Sequence, residues 1–281
     1  MSTITKRFWL WFGISLATPA MLLAGEAQNA FNEGVKLYKA AKYKEAISAY
    51  NRAIKAAPKS EEAYLGRGVA YSRLGQYDNA IKDYDEALKL KPKLVDARFN
   101  RGIAHSQLKQ YDRAIKDFDE VIALDPKTPK VFLQRGLAFL SLNQFDKAIQ
   151  DFTQAQKTDP KDAAIYYHRG LAYRRLGKND QAVQDYSEAI KLDPRNAETY
   201  NNRATAYSVL GKYDDAVKDY DEALKLNAKN ANIYANRGFI RARQGKPDDA
   251  QNDFKKAIEL DPSLKDKLDP HIIEQKGPGK R

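Results

Sequence analysis

The sequence predicts an all-α protein built from seven stacked helical hairpins, and three observations carry that prediction. Of 281 residues, 43% are hydrophobic and 30% charged, with only 15 Gly and 11 Pro, a composition that favours helix over strand. A period of 34 residues runs without insertion from residue 27 to residue 264. Within every copy of that period, small, aromatic and proline residues keep fixed places.

The copies begin at Ala27, Glu61, Val95, Pro129, Ala163, Ala197 and Ala231 and occupy 27–60, 61–94, 95–128, 129–162, 163–196, 197–230 and 231–264. Place eight is small in each (Gly34, Gly68, Gly102, Gly136, Gly170, Ala204, Gly238), and so is place twenty (Ala46, Ala80, Ala114, Ala148, Ala182, Ala216, Ala250). Helices approach closely only where neither carries a bulky side chain, so these places mark the contact of an antiparallel pair. Place twenty-four is aromatic throughout (Tyr50, Tyr84, Phe118, Phe152, Tyr186, Tyr220, Phe254). It lies one helical turn beyond place twenty on the same face and belongs to the core. Proline at place thirty-two (Pro58, Pro92, Pro126, Pro160, Pro194, Pro262, with Ala228 the exception) cannot continue a helix interior and separates one hairpin from the next.

Arg fills place seven in copies two to seven (Arg67, Arg101, Arg135, Arg169, Arg203, Arg237), and Asp fills place twenty-three in the same six (Asp83, Asp117, Asp151, Asp185, Asp219, Asp253). Copy one lacks both, carrying Glu33 and Ala49. Their joint absence points to an ion pair within each hairpin. A pair reaching back to place twenty-three of the preceding copy fits less well, because Arg67 would then face Ala49.

The pattern resembles the tetratricopeptide repeat (TPR) family, with place four bulky, eight small, eleven aromatic, twenty alanine, twenty-four aromatic and thirty-two proline. Departures are local: Ala30 and Arg98 at place four, Leu37, His105 and Arg241 at place eleven, and Asn179 and Pro247 at place seventeen. The resemblance implies a right-handed α-solenoid of seven helix-turn-helix hairpins that binds a protein or peptide. Residues 265–281 would supply a short C-terminal cap and tail, with Leu268, Ile272 and Ile273 covering the end of the last repeat.

At the other end, Lys6 and Arg7 precede an apolar run over residues 8–24, followed by Gly25-Glu26-Ala27. Basic residues, an apolar stretch and small residues in that order predict a secretory signal over residues 1–27, cleaved after Ala27. The alternative is an uncleaved anchor, since about 17 apolar residues is the lower limit for a membrane span. Either reading exports the repeats to the periplasmic or extracellular side of the membrane. Membrane contact is expected only if the segment stays.

Chemistry is sparse. Without cysteine there is no disulfide, thiolate zinc site or cysteine nucleophile. The chain has no phosphate-binding glycine loop, no His-Glu-x-x-His helix and no Gly-x-Ser-x-Gly elbow, and His105, His168 and His271 are far apart in the repeat register. The expectation is a non-catalytic protein without metal or cofactor. The net charge of +11 suits either a solvated surface or an anionic polymer as ligand. Pairing of six arginines weakens the polymer reading, and no nucleic acid is expected.

The resemblance implies that the first helix of each hairpin lines a concave groove through places two, five, six, nine, twelve and thirteen. Place six holds Asn32, Gly66, Asn100, Gln134, His168, Asn202 and Asn236. A carboxamide both donates and accepts, so this series is similar to the asparagine ladder of peptide-binding family members; alternatively it only caps or hydrates the groove. Places five and nine are apolar in the first five copies: Phe31 and Val35, Leu65 and Val69, Phe99 and Ile103, Leu133 and Leu137, Tyr167 and Leu171. They change to Asn201 and Thr205 in the sixth. If exposed they form a binding strip; if neighbouring helices cover them they are core. The Lys and Asn pair at places five and nine that grips chaperone C-termini is missing, and Asn100 with Lys130 does not rebuild it. The expected function is a cell-envelope scaffold that holds a peptide or helix of a partner protein in this groove. A membrane-anchored recruiter and a binder of anionic polymers are the alternatives.

Overall fold

The computed structural model describes residues 19–128 and 130–271. Residues 8–18, most of the expected leader or anchor, lie outside these, as do Ile272 and Ile273. Among the described residues the chain is helical, with fifteen α-helices and no strand. No helix among them is long and apolar enough to cross a membrane.

The chain divides into two compact units, residues 1–109 and 110–281. The first contains α1 (Pro19–Lys39), α2 (Tyr43–Ala56), α3 (Glu61–Arg73), α4 (Tyr77–Leu90) and α5 (Val95–Gln107). Ala27, after which cleavage is expected, falls inside α1. The second contains α6 (Tyr111–Leu124), α7 (Val131–Ser141), α8 (Phe145–Thr158), α9 (Ala163–Arg175), α10 (Asn179–Leu192), α11 (Ala197–Val209), α12 (Tyr213–Leu226), α13 (Ala231–Arg243), α14 (Pro247–Leu260) and α15 (Lys265–Leu268). Within each unit, each helix packs on the next, so successive hairpins stack as a solenoid.

The hairpins close over the aromatic ring at place twenty-four. A Cβ added at Gly34, Gly68, Gly136, Gly170 or Gly238 would lie 2.6–2.9 Å from that ring in the same repeat. The glycine therefore accommodates the ring, and Tyr84, Phe152, Tyr186 and Phe254 are fully buried by it. The turn between the two helices needs a left-handed residue at place fifteen. Gly75, Gly177, Gly211 and Gly245 take φ of 72–75° there, whereas Ala41, Lys109 and Asn143 hold φ of 57–58°. First helices start on side-chain caps at Ser60, Asp162, Asn196 and Asn230, each accepting from a backbone N–H of the first turn. The last repeat is closed by Leu268, which is wholly buried against Ala235, Ala250, Phe254 and Ala257. His271 adds an edge contact to Phe239, ring centroids 5.0 Å apart.

In the repeats starting at residues 61, 129, 163, 197 and 231, the place-seven guanidinium grips its own Asp with two parallel bonds. Arg67–Asp83, Arg135–Asp151, Arg169–Asp185, Arg203–Asp219 and Arg237–Asp253 all lie at 2.6–2.9 Å. Each Nη1 also reaches back to place twenty-five of the preceding repeat: Arg67 to Asn51, Arg101 to Asp85, Arg135 to Asp119, Arg169 to Thr153, Arg203 to Ser187 and Arg237 to Asp221. The cross-repeat bond thus exists, but to place twenty-five rather than twenty-three. Place twenty-five of the last repeat is Lys255, where no further arginine follows. In the first repeat the polarity is reversed, with Arg52 donating to Glu33 at 2.7 Å.

Hydrogen bonding to the paired Asp raises Arg67, Arg135 and Arg169 further above neutral pH, so the guanidinium stays charged. Burial pushes the carboxyls of Asp83, Asp151 and Asp219 up while the arginines pull them down. The two parallel, charge-assisted bonds of each pair favour the ionised form.

Candidate peptide-binding groove

First helices of successive hairpins meet one another, α1 with α3 and α3 with α5 in one unit, and α7 with α9, α9 with α11 and α11 with α13 in the other. Second helices of successive hairpins make no comparable contact among the described residues. The first helices therefore form the inner face of each stack, and that face carries the candidate residues.

Places five and nine are neither an exposed strip nor plain core. Phe31, Val35, Leu65, Val69, Phe99, Ile103, Leu137, Tyr167 and Leu171 are half-buried, and Leu133 is buried. Their inner edges pack on the hairpin cores: Leu65 and Val69 against Ala80 and Tyr84, and Leu137 against Ala148 and Phe152. The opposite edges line the face.

Place six is heterogeneous. Asn32 is exposed and accepts from Gln28 at 3.0 Å. Asn100 donates to the Asp96 carbonyl at 2.8 Å, so one of its N–H groups is spent on its own helix. Asn202 is buried and donates to the Tyr167 hydroxyl at 3.2 Å, bridging adjacent repeats. Gln134 and Asn236 are half-buried, and their side-chain amides hold no hydrogen bond among the described residues. His168 stacks on Phe152 and meets the edge of Tyr167, and burial lowers its pKa. The second copy has no amide at all, because Gly66 leaves room for Tyr50.

The helical pairs, the ring-over-glycine closure and the ordered inner face form one repeated unit. The chain belongs to the tetratricopeptide repeat family. The family model described as TPR repeat matches residues 34–75, 136–177 and 170–211, and that described as tetratricopeptide repeat matches 61–94, 95–128, 197–230 and 231–264. Among curated proteins none matches the chain in sequence. Solved TPR structures share the fold. A tetratricopeptide repeat protein from Parabacteroides merdae is 21% identical with a TM-score of 0.64, the match covering 89% of this chain and 100% of that one. The C-terminal part of a TPR repeat-containing protein from Cytophaga hutchinsonii is 21% identical with a TM-score of 0.71, over 85% and 98%. YrrB, a TPR protein with an unusual peptide-binding site, is 19% identical with a TM-score of 0.57, over 64% and 93%. TPR proteins bind peptide or protein partners, and this one carries the architecture of a protein-interaction scaffold.

A cleft of about 720 Å³ lies among α11, α12 and α13, over Arg203 and Arg237. Its floor is the ion-pair ladder, whose guanidiniums already hold carboxylates.

Proposed function

We propose that this protein is a non-catalytic scaffold of the cell envelope that holds an extended or helical segment of a partner protein along its first-helix face. The carrying observation is the alternation on that face of half-buried apolar edges with the uncommitted amides of Gln134 and Asn236. A peptide backbone offers one donor and one acceptor per residue, and a carboxamide answers both. The peptide-binding site of YrrB supports the same reading. Envelope placement rests on the basic, apolar and small-residue order of residues 6–27; a membrane-anchored form differs only in keeping residues 8–24. Binding of an anionic polymer is disfavoured because the Arg ladder is engaged in ion pairs.

The test uses two charge insertions on the inner face, Leu137→Glu and Leu171→Glu, and two on exposed second-helix positions, Gln154→Glu and Gln184→Glu. Partner capture from the envelope fraction is expected to fail with the first pair and persist with the second, all four remaining helical by circular dichroism. The opposite pattern contradicts the inner-face assignment.

A further inference from the structure

In the first unit the helices of each hairpin run antiparallel, so α1 and α3 start at the edge where α2 and α4 end. Two contacts show this directly. Leu23 and Glu26 of α1 share a recess with Arg52, Lys55 and Ala56 at the end of α2. Lys91, just after α4, pairs with Glu61 at the start of α3, 3.2 Å apart.

Charge and apolar exposure coincide on this edge. The segments that close α2 and α4 read Lys55-Ala56-Ala57-Pro58-Lys59 and Lys89-Leu90-Lys91-Pro92-Lys93, with all five lysines exposed and no acid among them. At place thirty-one, where the first unit has Ala57 and Lys91, four loops of the second carry Asp125, Asp159, Asp193 and Asp261. Glu86 and Glu61 offset Lys89 and Lys91, but Lys55, Lys59 and Lys93 hold no ion pair among the described residues. The other acids of this edge, Glu26, Glu62 and Asp96, belong to α1 and to the first turns of α3 and α5 rather than to the loops. Among the described residues, the exposed large hydrophobics of the first unit are Leu23 and Leu90, 49% and 38% exposed. Both stand here, and residues 19–24 of the apolar N-terminal run form the start of α1 at the same edge.

This combination selects one class of ligand. Lysine is a point charge on a flexible stem, suited to a field of phosphates rather than to one fixed acceptor. Leucine beside it can enter the boundary between headgroups and acyl chains, and a basic patch beside an apolar anchor strengthens attachment to anionic lipid. Neither lysine segment contains an aromatic residue, so the edge offers no platform on which nucleic-acid bases could stack.

Beyond the groove reading and independently of it, we infer that this edge of the first unit docks on an anionic phospholipid surface, with Lys55, Lys59, Lys89, Lys91 and Lys93 at the headgroups and Leu90 at the acyl boundary. Membrane contact thus comes from the repeats themselves, whether or not residues 1–27 are retained.

The test uses the full chain carrying Trp9→Phe, Trp11→Phe and Leu90→Trp, which moves all tryptophan emission to this edge. Vesicles of equal parts phosphatidylglycerol and phosphatidylcholine with brominated acyl chains quench the emission where the edge touches the bilayer; brominated phosphatidylcholine alone is the neutral comparison. The N-terminal segment contributes alike to every variant, so differences between variants report the edge. Quenching is expected on the anionic vesicles and not on the neutral ones. In the Lys55→Gln, Lys59→Gln, Lys93→Gln triple variant, half-quenching should need about tenfold more lipid or above. The equally charged triple Lys36→Gln, Lys39→Gln, Lys42→Gln, at exposed positions of the opposite edge, should shift it less than about threefold. Equal losses in the two triples assign binding to overall charge and overturn the inference. Equal quenching on neutral vesicles, quenching indifferent to the first triple, or no quenching overturns it as well. Tighter binding of a duplex oligonucleotide than of the vesicles, lost in the first triple, overturns it in favour of nucleic acid. None of these outcomes alters the inner-face capture expected above, so the two readings fail separately.

Discussion

Arg135 shows how one residue ties two repeats together. Two of its donors hold Asp151, and the third reaches Asp119. Asp151 is almost fully buried, with a side chain 5% exposed, whereas Asp119 is 53% exposed. Removing the guanidinium strands a buried carboxylate, so Arg135→Met should cost roughly 3 kcal/mol in denaturant unfolding and much less in an Asp151→Asn background. Asp119→Ala, losing a solvent-screened partner, should cost no more than about 1 kcal/mol. Equal costs for Arg135→Met in both backgrounds contradict the pairing. The within-repeat half of this network was legible because Arg and Asp recur as identical letters. The other half was not, because place twenty-five spells the same acceptor as Asn51, Asp85, Asp119, Thr153, Ser187 and Asp221. Only Lys255, at the one copy with no arginine after it, hinted at the rule.

His168 adds a pH dependence whose sign follows from its environment. Burial depresses its pKa, with Glu198 and Asp162 partly opposing, so the unfolded chain takes up a proton near the ordinary histidine value of about 6.5 before the folded chain does. The stability held by the neutral ring is complete above that value and is lost as pH falls through the lower, folded pKa. Unfolding midpoints measured from pH 7.5 to 5 should fall more steeply for the wild type than for His168→Gln. Parallel curves contradict the buried neutral ring.

At the scale of an element, the turns and closures carry their own predictions. Ala41 and Lys109 occupy the left-handed place that glycine fills in four other repeats. A Cβ is unfavourable there, so Ala41→Gly or Lys109→Gly should raise stability by about 0.5–1 kcal/mol despite glycine's extra freedom when unfolded. Gly238→Ala should do the reverse, costing about 1–3 kcal/mol, because the new methyl would sit 2.6 Å from a Phe254 ring atom and overpack the hairpin. Thermal or urea unfolding checks both. Helix positions were legible from place eight, place twenty and proline spacing, since these report packing directly. The character of the inner face was less so. Leu137 and Leu171 read as either surface or core, and the structure leaves both half-buried, with Leu137 packed on the core through one edge only. Asn202 has the same identity as Asn236, yet only contact with Tyr167 reveals that it is spent inside the stack.

For the whole molecule, the proposed function rests on two features: an inner face of first helices in each unit, and the basic, apolar and small-residue order of residues 6–27. Both tryptophans, Trp9 and Trp11, lie in that segment. Protein isolated from its native compartment is therefore expected to show tyrosine emission alone if cleavage occurs after Ala27, and tryptophan emission if the anchor is retained. The central claim concerns the inner face, and a photoreactive side chain placed at Gln134 on α7, with the same group at exposed Gln154 on α8 as control, tests it most directly in the cells that make the protein. The account predicts that Gln134 crosslinks a discrete partner at a defined peptide, and that unlabelled partner peptide suppresses the adduct while Gln154 yields none. Equal capture at both positions, or capture at Gln154 alone, would contradict it and move the binding surface to the outer helices.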